Sequence, residues 1–123
     1  MKNEQVTGQI ITASLRVHSI LGPGLLESAY RLCLAHELTQ RGVHVQSEIP
    51  VPIVYDGLVI DVGHRIDLLV EQCVVMDLKT VRPLMFVHHA QRLSHLRLSK
   101  MPTGLLNNFH VARLRDGIKR IAN

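Results

Sequence analysis

Apolar residues recur at Val6, Ile10, Ala13, Val17 and then Ile20 or Leu21, a spacing of three or four that predicts a helix with one buried stripe. Gly22-Pro23-Gly24 ends it. A second helix follows, with Leu26, Tyr30, Cys33, Leu34 and Leu38 expected on its inner side and Gly42 as a left-handed stop. The period then changes. Ile49 to Tyr55 is short and rich in β-branched residues, and Asp56-Gly57 closes it with a turn signal of the kind that joins two strands. His64 to Val70 and Val74 to Thr80 read as strands separated by Glu71-Gln72-Cys73. Beyond Arg82-Pro83, Val87 to Lys100 reads as a third helix, Thr103 to Phe109 as a strand and the basic tail from Val111 to Ile121 as a short helix. Three strands in succession imply an antiparallel meander. A fourth strand returning after a helix can lie parallel to a neighbour, giving a mixed α/β sheet flanked by helices.

Strand alternation sorts the polar residues. In Val74-Val75-Met76-Asp77-Leu78-Lys79, Val75, Asp77 and Lys79 share a face; in the preceding strand Arg65, Asp67 and Leu69 do. If Glu71, Gln72 and Cys73 form the loop symmetrically, Val70 pairs with Val74 and Asp67 falls opposite Asp77. Opposed carboxylates in an antiparallel pair lie about 5 Å apart at Cβ, so they call for a shared proton or a cation. Mg2+ or Mn2+, which takes oxygen ligands and keeps several waters, suits two carboxylates and a substrate phosphate. Lys79 is placed to orient a metal-bound water and to offset phosphate charge. The loop lacks the glycine usual in three-residue hairpins, and a one-residue slip would move Asp67 out of opposition. The plainer alternative is a solvated sheet face, because Asp-x-Lys is a short motif. Val75 and Leu69 on the same face argue against plain solvation.

Composition narrows the partners. The 123 residues suit one domain spanning 1–123, and 46% hydrophobic with 20% charged is ordinary globular composition. No apolar stretch is long enough to span a bilayer, and the N-terminal residues resemble no secretory signal, so no membrane partner is expected and the cytoplasm is the expected compartment. Cys33 and Cys73, outside any Cys-x-x-Cys spacing, are expected as reduced core fillers. A formal charge of +4 is compatible with nucleic acid. With Tyr30, Tyr55, Phe86 and Phe109 as the only aromatic residues, a long base-stacking platform is excluded. Phosphate contacts from Arg82, Arg92, Arg97 and Lys100 are expected instead. The histidines show no paired metal-ligand spacing, and His64, just before Arg65-Ile66-Asp67, is the one closest in sequence to the candidate chemistry.

Gly24-Leu25-Leu26-Glu27-Ser28-Ala29-Tyr30 resembles the G-x-x-E-x-x-Y signature of the GxxExxY proteins, a group within the PD-(D/E)XK nuclease-like superfamily. Arg65 to Val70, Val75 to Lys79, Ala90-Gln91 and Gly104 to Phe109 follow in the family's order. The resemblance implies a restriction-endonuclease-like core, a mixed four-stranded sheet in the order αβββαβ with an extra N-terminal helix. It also implies Asp67, Asp77 and Glu27 as metal ligands, Lys79 as the motif lysine and Gln91 as the glutamine of the following helix. Periodicity alone leaves Glu27 open between pointing toward the sheet and stabilising the positive end of its helix. Where relatives often carry Tyr four residues after the Gln, this chain has His95, on the same helix face as Gln91. The implied activity is Mg2+-dependent phosphodiester hydrolysis of nucleic acid, DNA foremost. The alternative is a noncatalytic domain with this fold, serving in nucleic-acid binding or in assembly as a homodimer.

Overall fold

The computed structural model describes residues 3–61, 63–80, 86–101 and 103–122, and all side chains among these except Phe86, Arg92, Ile121 and Ala122. Helices α1 (Asn3–Leu21) and α2 (Glu27–Gln40) come first. They are followed by β1 (Val45–Pro50), β2 (Ile53–Tyr55), β3 (Leu58–Ile60), β4 (Arg65–Val70) and β5 (Val74–Lys79). Helix α3 (Phe86–Ser99), β6 (Thr103–Asn108), a 3-10 turn at Leu114–Asp116 and β7 (Ile118–Ala122) complete the order. The main sheet has the strand order β1-β4-β5-β6-β7, with β5 and β6 parallel and the other neighbours antiparallel. This is the mixed α/β, restriction-endonuclease-like architecture, with five strands instead of the expected four.

The predicted stripe of α1 is observed: Val6, Ile10, Ala13 and Val17 are buried, and Leu21, not Ile20, continues it inward. With Tyr30, Leu34 and Leu38 of α2 they cover Leu68, Val70, Val74, Met76, Leu78 and Leu105 on one side of the sheet. At ~25 cal/mol per Å2 of apolar surface removed from water, this layer is the main stabilising term of the fold. Gly42 takes φ 77°, the left-handed conformation that ends a helix at no Cβ cost. On the other side of the sheet, Val75, Leu69, Ile66 and Val51 meet Leu96 of α3. A Cβ on Gly104 would lie 3.1 Å from the Leu96 side chain, so α3 rests directly on the backbone of β6.

Four expectations are corrected. The tail folds as the 3-10 turn and β7, not as a helix, because β6 would otherwise leave a row of unpaired backbone groups on its open edge. The strand expected from Ile49 to Tyr55 is divided: β1 ends at Pro50 and Pro52 follows, two residues without an N–H for a ladder. Asp56-Gly57 does make a turn, with φ 49° and 77° as a type I′ turn requires, but it joins β2 to the short β3 in a separate two-stranded sheet. Leu26, just before α2, and Cys33 on it are exposed, so neither fills the core, whereas Cys73 is partly buried and packs against it.

Tyr30 ties the two helices to the sheet. Its ring stacks on Phe109 with centroids 4.4 Å apart, its hydroxyl donates to the Gly22 carbonyl, and it accepts from the Leu25 N–H at 3.1 Å. These bonds hold the loop that ends at Glu27. Tyr30→Phe keeps the stacking and removes both hydrogen bonds, and should cost about 1–2 kcal/mol in urea denaturation with an unchanged m-value.

Candidate functional site

The loop Glu71-Gln72-Cys73 forms without glycine because Glu71 and Gln72 themselves adopt φ 50° and 53°. It is held by Cys73 N–H donating to Val70 O at 3.1 Å, and by a reciprocal clasp between Glu71 and His44 at 2.8 and 2.9 Å. The register is the symmetric one: Val70 pairs with Val74, Leu69 with Val75 and Leu68 with Met76. One step further would pair Asp67 with Asp77, and there the ladder stops.

Asp67 marks a parting of the sheet on both of its sides. On the β1 side Ser47 pairs with Leu68 and Ile49 with Ile66, while Glu48, which would face Asp67, leaves the ladder with φ 52° and bonds Arg31 at 3.2 Å. On the β5 side the carboxylates take over from the backbone. Leu78 N–H donates to Asp67 Oδ2 at 2.7 Å, and Asp67 N–H donates to Asp77 Oδ1 at 3.4 Å. The strands diverge and two acids fill the fork.

Around the fork, Asp67, Asp77, Lys79 and Gln91 line one small polar cleft of about 50 Å3, together with Arg65, His88, His95 and Leu106. Asp77 is buried, and its Oδ2 accepts from His95 Nδ1 at 2.9 Å. Desolvation raises the Asp67 pKa from 3.8 to about 6. Its bond from Leu78 opposes the rise, the Asp77 charge adds to it, Lys79 opposes it and Glu27 contributes least. The hydrogen bond to Asp77 raises the His95 pKa above its ordinary value against the pull of desolvation, with the Asp77 and Asp67 charges helping.

Glu27 behaves differently from the other sequence candidates. It opens α2 in the α1/α2 layer, acts on Asp67 through its charge and does not line the cleft. Among the described residues no three His, Cys, Asp or Glu side chains form a group that could hold a metal ion. The carboxylate oxygens in the cleft are those of Asp67 and Asp77, and the rise at Asp67 comes first from its desolvation and then from the neighbouring Asp77 charge. Two carboxylates converging on one polar cleft are hard oxygen ligands of the kind that suit a divalent cation keeping several waters. Of the expected phosphate contacts, Arg97 borders a neighbouring groove and Lys100 is exposed just past α3. Arg82 and the side chain of Arg92 lie outside the described residues.

Sequence reasoning missed the bond from His95 to Asp77 and did not single out His88. The signal was helical spacing: His88, Gln91 and His95 stand at i, i+3 and i+7, one face of α3. His64 is exposed and stands edge-on to His95, ring centroids 6.3 Å apart.

Without a cation, this site makes the protein less stable as pH rises. Between 3.8 and about 6 the folded state keeps the Asp67 proton that the unfolded chain has released, so stability falls as pH rises through that window. The raised His95 contributes stability that is complete below its unfolded value of 6.5 and is lost as pH rises through its folded value. Asp67→Asn keeps an acceptor for Leu78 and removes the titration. Its stability relative to wild type in EDTA should climb from pH 4 to pH 6 and level off above; a difference independent of pH would refute the assignment.

Neither a curated protein nor a solved structure matches the chain. A scan against protein families matches the PD-(D/E)XK nuclease superfamily over residues 4–121, from the first turn of α1 to β7. With the match extending over nearly the whole length and through β4, β5 and α3, the chain belongs to the PD-(D/E)XK nuclease superfamily.

Proposed function

We propose that the protein is a Mg2+- or Mn2+-dependent phosphodiesterase acting on nucleic acid, DNA foremost, and a GxxExxY-type member of its superfamily. The observation that carries this reading is the pair of carboxylates, Asp77 buried and Asp67 half-buried, beside Lys79 at the fork of β4 and β5. Nucleases of this superfamily generally use divalent metals, and membership implies binding of nucleic acid. The Gly24-x-x-Glu27-x-x-Tyr30 signature supports the finer placement.

Asp67 and Asp77 would hold the cation, with Glu27 adding negative charge from the α2 side. When bound, such an ion lowers the pKa of water and offsets charge on phosphoryl oxygens. Lys79 orients the attacking water and offsets charge building on the phosphate. Gln91, at the rim, donates to a non-bridging phosphate oxygen and fixes its position. His95 holds Asp77 in place through Oδ2 and, when protonated, supplies positive charge. Water adds to phosphorus, the bond to the leaving oxygen breaks, and the products are a phosphomonoester and a free hydroxyl.

A second reading has its own support. His95 engages Asp77 Oδ2 directly, so a protonated His95 can supply the counter-charge a metal would bring, as suits a noncatalytic domain that binds nucleic acid or assembles as a homodimer.

Hydrolysis of single-stranded and duplex DNA and of RNA with Mg2+ or Mn2+ tests the enzyme. Asp77→Ala and Lys79→Ala should each lower the rate by about 10²-fold or more, and equal rates in all three proteins would end the proposal. Cation binding has a separate readout. At ten times its dissociation constant, Mg2+ should stabilise the wild type by about 1.4 kcal/mol, more at pH 8 than at pH 5, and should leave Asp67→Asn/Asp77→Asn unchanged. Absence of stabilisation by either cation would favour the noncatalytic domain.

A further inference from the structure

Beside the polar cleft lies a second concavity of about 460 Å3, between the first strand of the β2–β3 hairpin and the outer face of α3. Gln91 and His95 line both, so the two are one continuous surface. Its character differs from the cleft's. Ile53, Val87 and Leu98 supply apolar walls, and His64, Gln91 and Ser94 add hydrogen-bonding groups. Among the described residues that line it, Arg97 is the one Lys or Arg and none is acidic.

We propose that this groove receives one unpaired nucleobase next to the scissile phosphate, so that the favoured substrate is single-stranded or carries an unpaired nucleotide at the cut. The proposal rests on the nucleic-acid reading of the cleft and names its substrate class. The volume falls in the ~300–1,000 Å3 range of small-ligand sites. A phosphate track would need several cations, and the described lining of this second concavity offers Arg97 alone. A nucleobase has apolar faces and a polar edge, which matches apolar walls with histidine, amide and hydroxyl groups among them. A base inside a duplex is stacked and paired, so it would have to leave the helix to enter, at a cost of a few kcal/mol that an unpaired base avoids. The scarcity of aromatic residues limits this recognition to one base and not a stacked run.

Fluorescence anisotropy on the full chain, with Ca2+ replacing Mg2+ to hold back cleavage, compares three probes of equal length: a single-stranded oligonucleotide, the blunt duplex, and a fully abasic deoxyribose-phosphate strand. The single strand should bind about tenfold more tightly than either of the others, the scale expected for one well-packed base. Ala90→Leu/Ser94→Leu fills the groove without adding charge or an aromatic ring. It should bring single-strand binding to within about twofold of the abasic strand while leaving the melting temperature and duplex binding unchanged. The abasic comparison on wild type decides the matter by itself if the variant fails to fold.

Equal binding of normal and abasic strands overturns the proposal, as does a wild type that binds no oligonucleotide, which would leave the groove to a protein segment. The two readings fail separately. Base-dependent binding without hydrolysis in Mg2+ or Mn2+ supports the groove and ends the phosphodiesterase. Hydrolysis that is indifferent to pairing, with equal affinity for the abasic strand, keeps the phosphodiesterase and ends the groove.

Discussion

Two carboxylates of like charge are held side by side where a sheet comes apart, and the surrounding structure is organised to hold them there. An antiparallel ladder through Asp67 and Asp77 would place two acids in direct opposition, which repels. Instead the backbone pairing ends at Leu68 and Met76, and each strand uses a peptide N–H to bind the other's acid: Leu78 N–H to Asp67, Asp67 N–H to Asp77. The Leu78 bond favours the charged form of Asp67, while burial and the Asp77 charge favour a proton on it. The raised pKa shows that burial and repulsion prevail at Asp67. A site in that condition attracts positive charge, and His95 already supplies a partner for Asp77 from α3.

Such an arrangement needs strands that cannot slide, and the two layers divide that work. The α1/α2 layer is continuous: Leu68, Met76 and Leu78, three of the four immediate sequence neighbours of the two acids, are fully buried beneath it. Alternation then drives Asp67, Asp77 and Lys79 toward α3, where the apolar contact is smaller and leaves a cleft. Gly104 sets how close α3 comes, since its missing Cβ lets Leu96 approach the β6 backbone. The helix turn carrying His95 is therefore positioned by a hydrophobic contact one residue away.

What could be read from the chain follows from how local each determinant is. Stripe spacing gave α1 nearly residue by residue, and a symmetric loop at Glu71-Gln72-Cys73 was enough to give the β4–β5 register, because both depend on neighbours in sequence. The tail was misread because β7 exists only by pairing with β6, a partner about ten residues away that the tail's own basic pattern does not reveal. The division of the Ile49–Tyr55 run was legible in Pro50 and Pro52, but that Asp56-Gly57 would start a separate hairpin depended on where β1 found its partner. In the cleft, Asp67, Asp77 and Lys79 were visible by strand alternation, and Gln91 through the family resemblance. The bond from His95 to Asp77 required knowing the distance between α3 and the sheet, a tertiary quantity.

The Gly24-x-x-Glu27-x-x-Tyr30 segment shows how one short motif can combine two physical roles. Tyr30 is wholly buried, stacked on Phe109 and hydrogen-bonded to the loop between the helices, so its contribution is to fix where α2 begins. Glu27 is the first residue of that helix, three positions earlier, and is felt at Asp67 as a further negative charge. A carboxylate at a helix start is ordinarily explained by the helix dipole. Here the same placement also adds a small negative potential at Asp67 from the opposite layer, without Glu27 having to enter the cleft. The motif's spacing thus follows from geometry: the tyrosine anchors the turn, and the anchored turn holds the acid at a set distance from the fork.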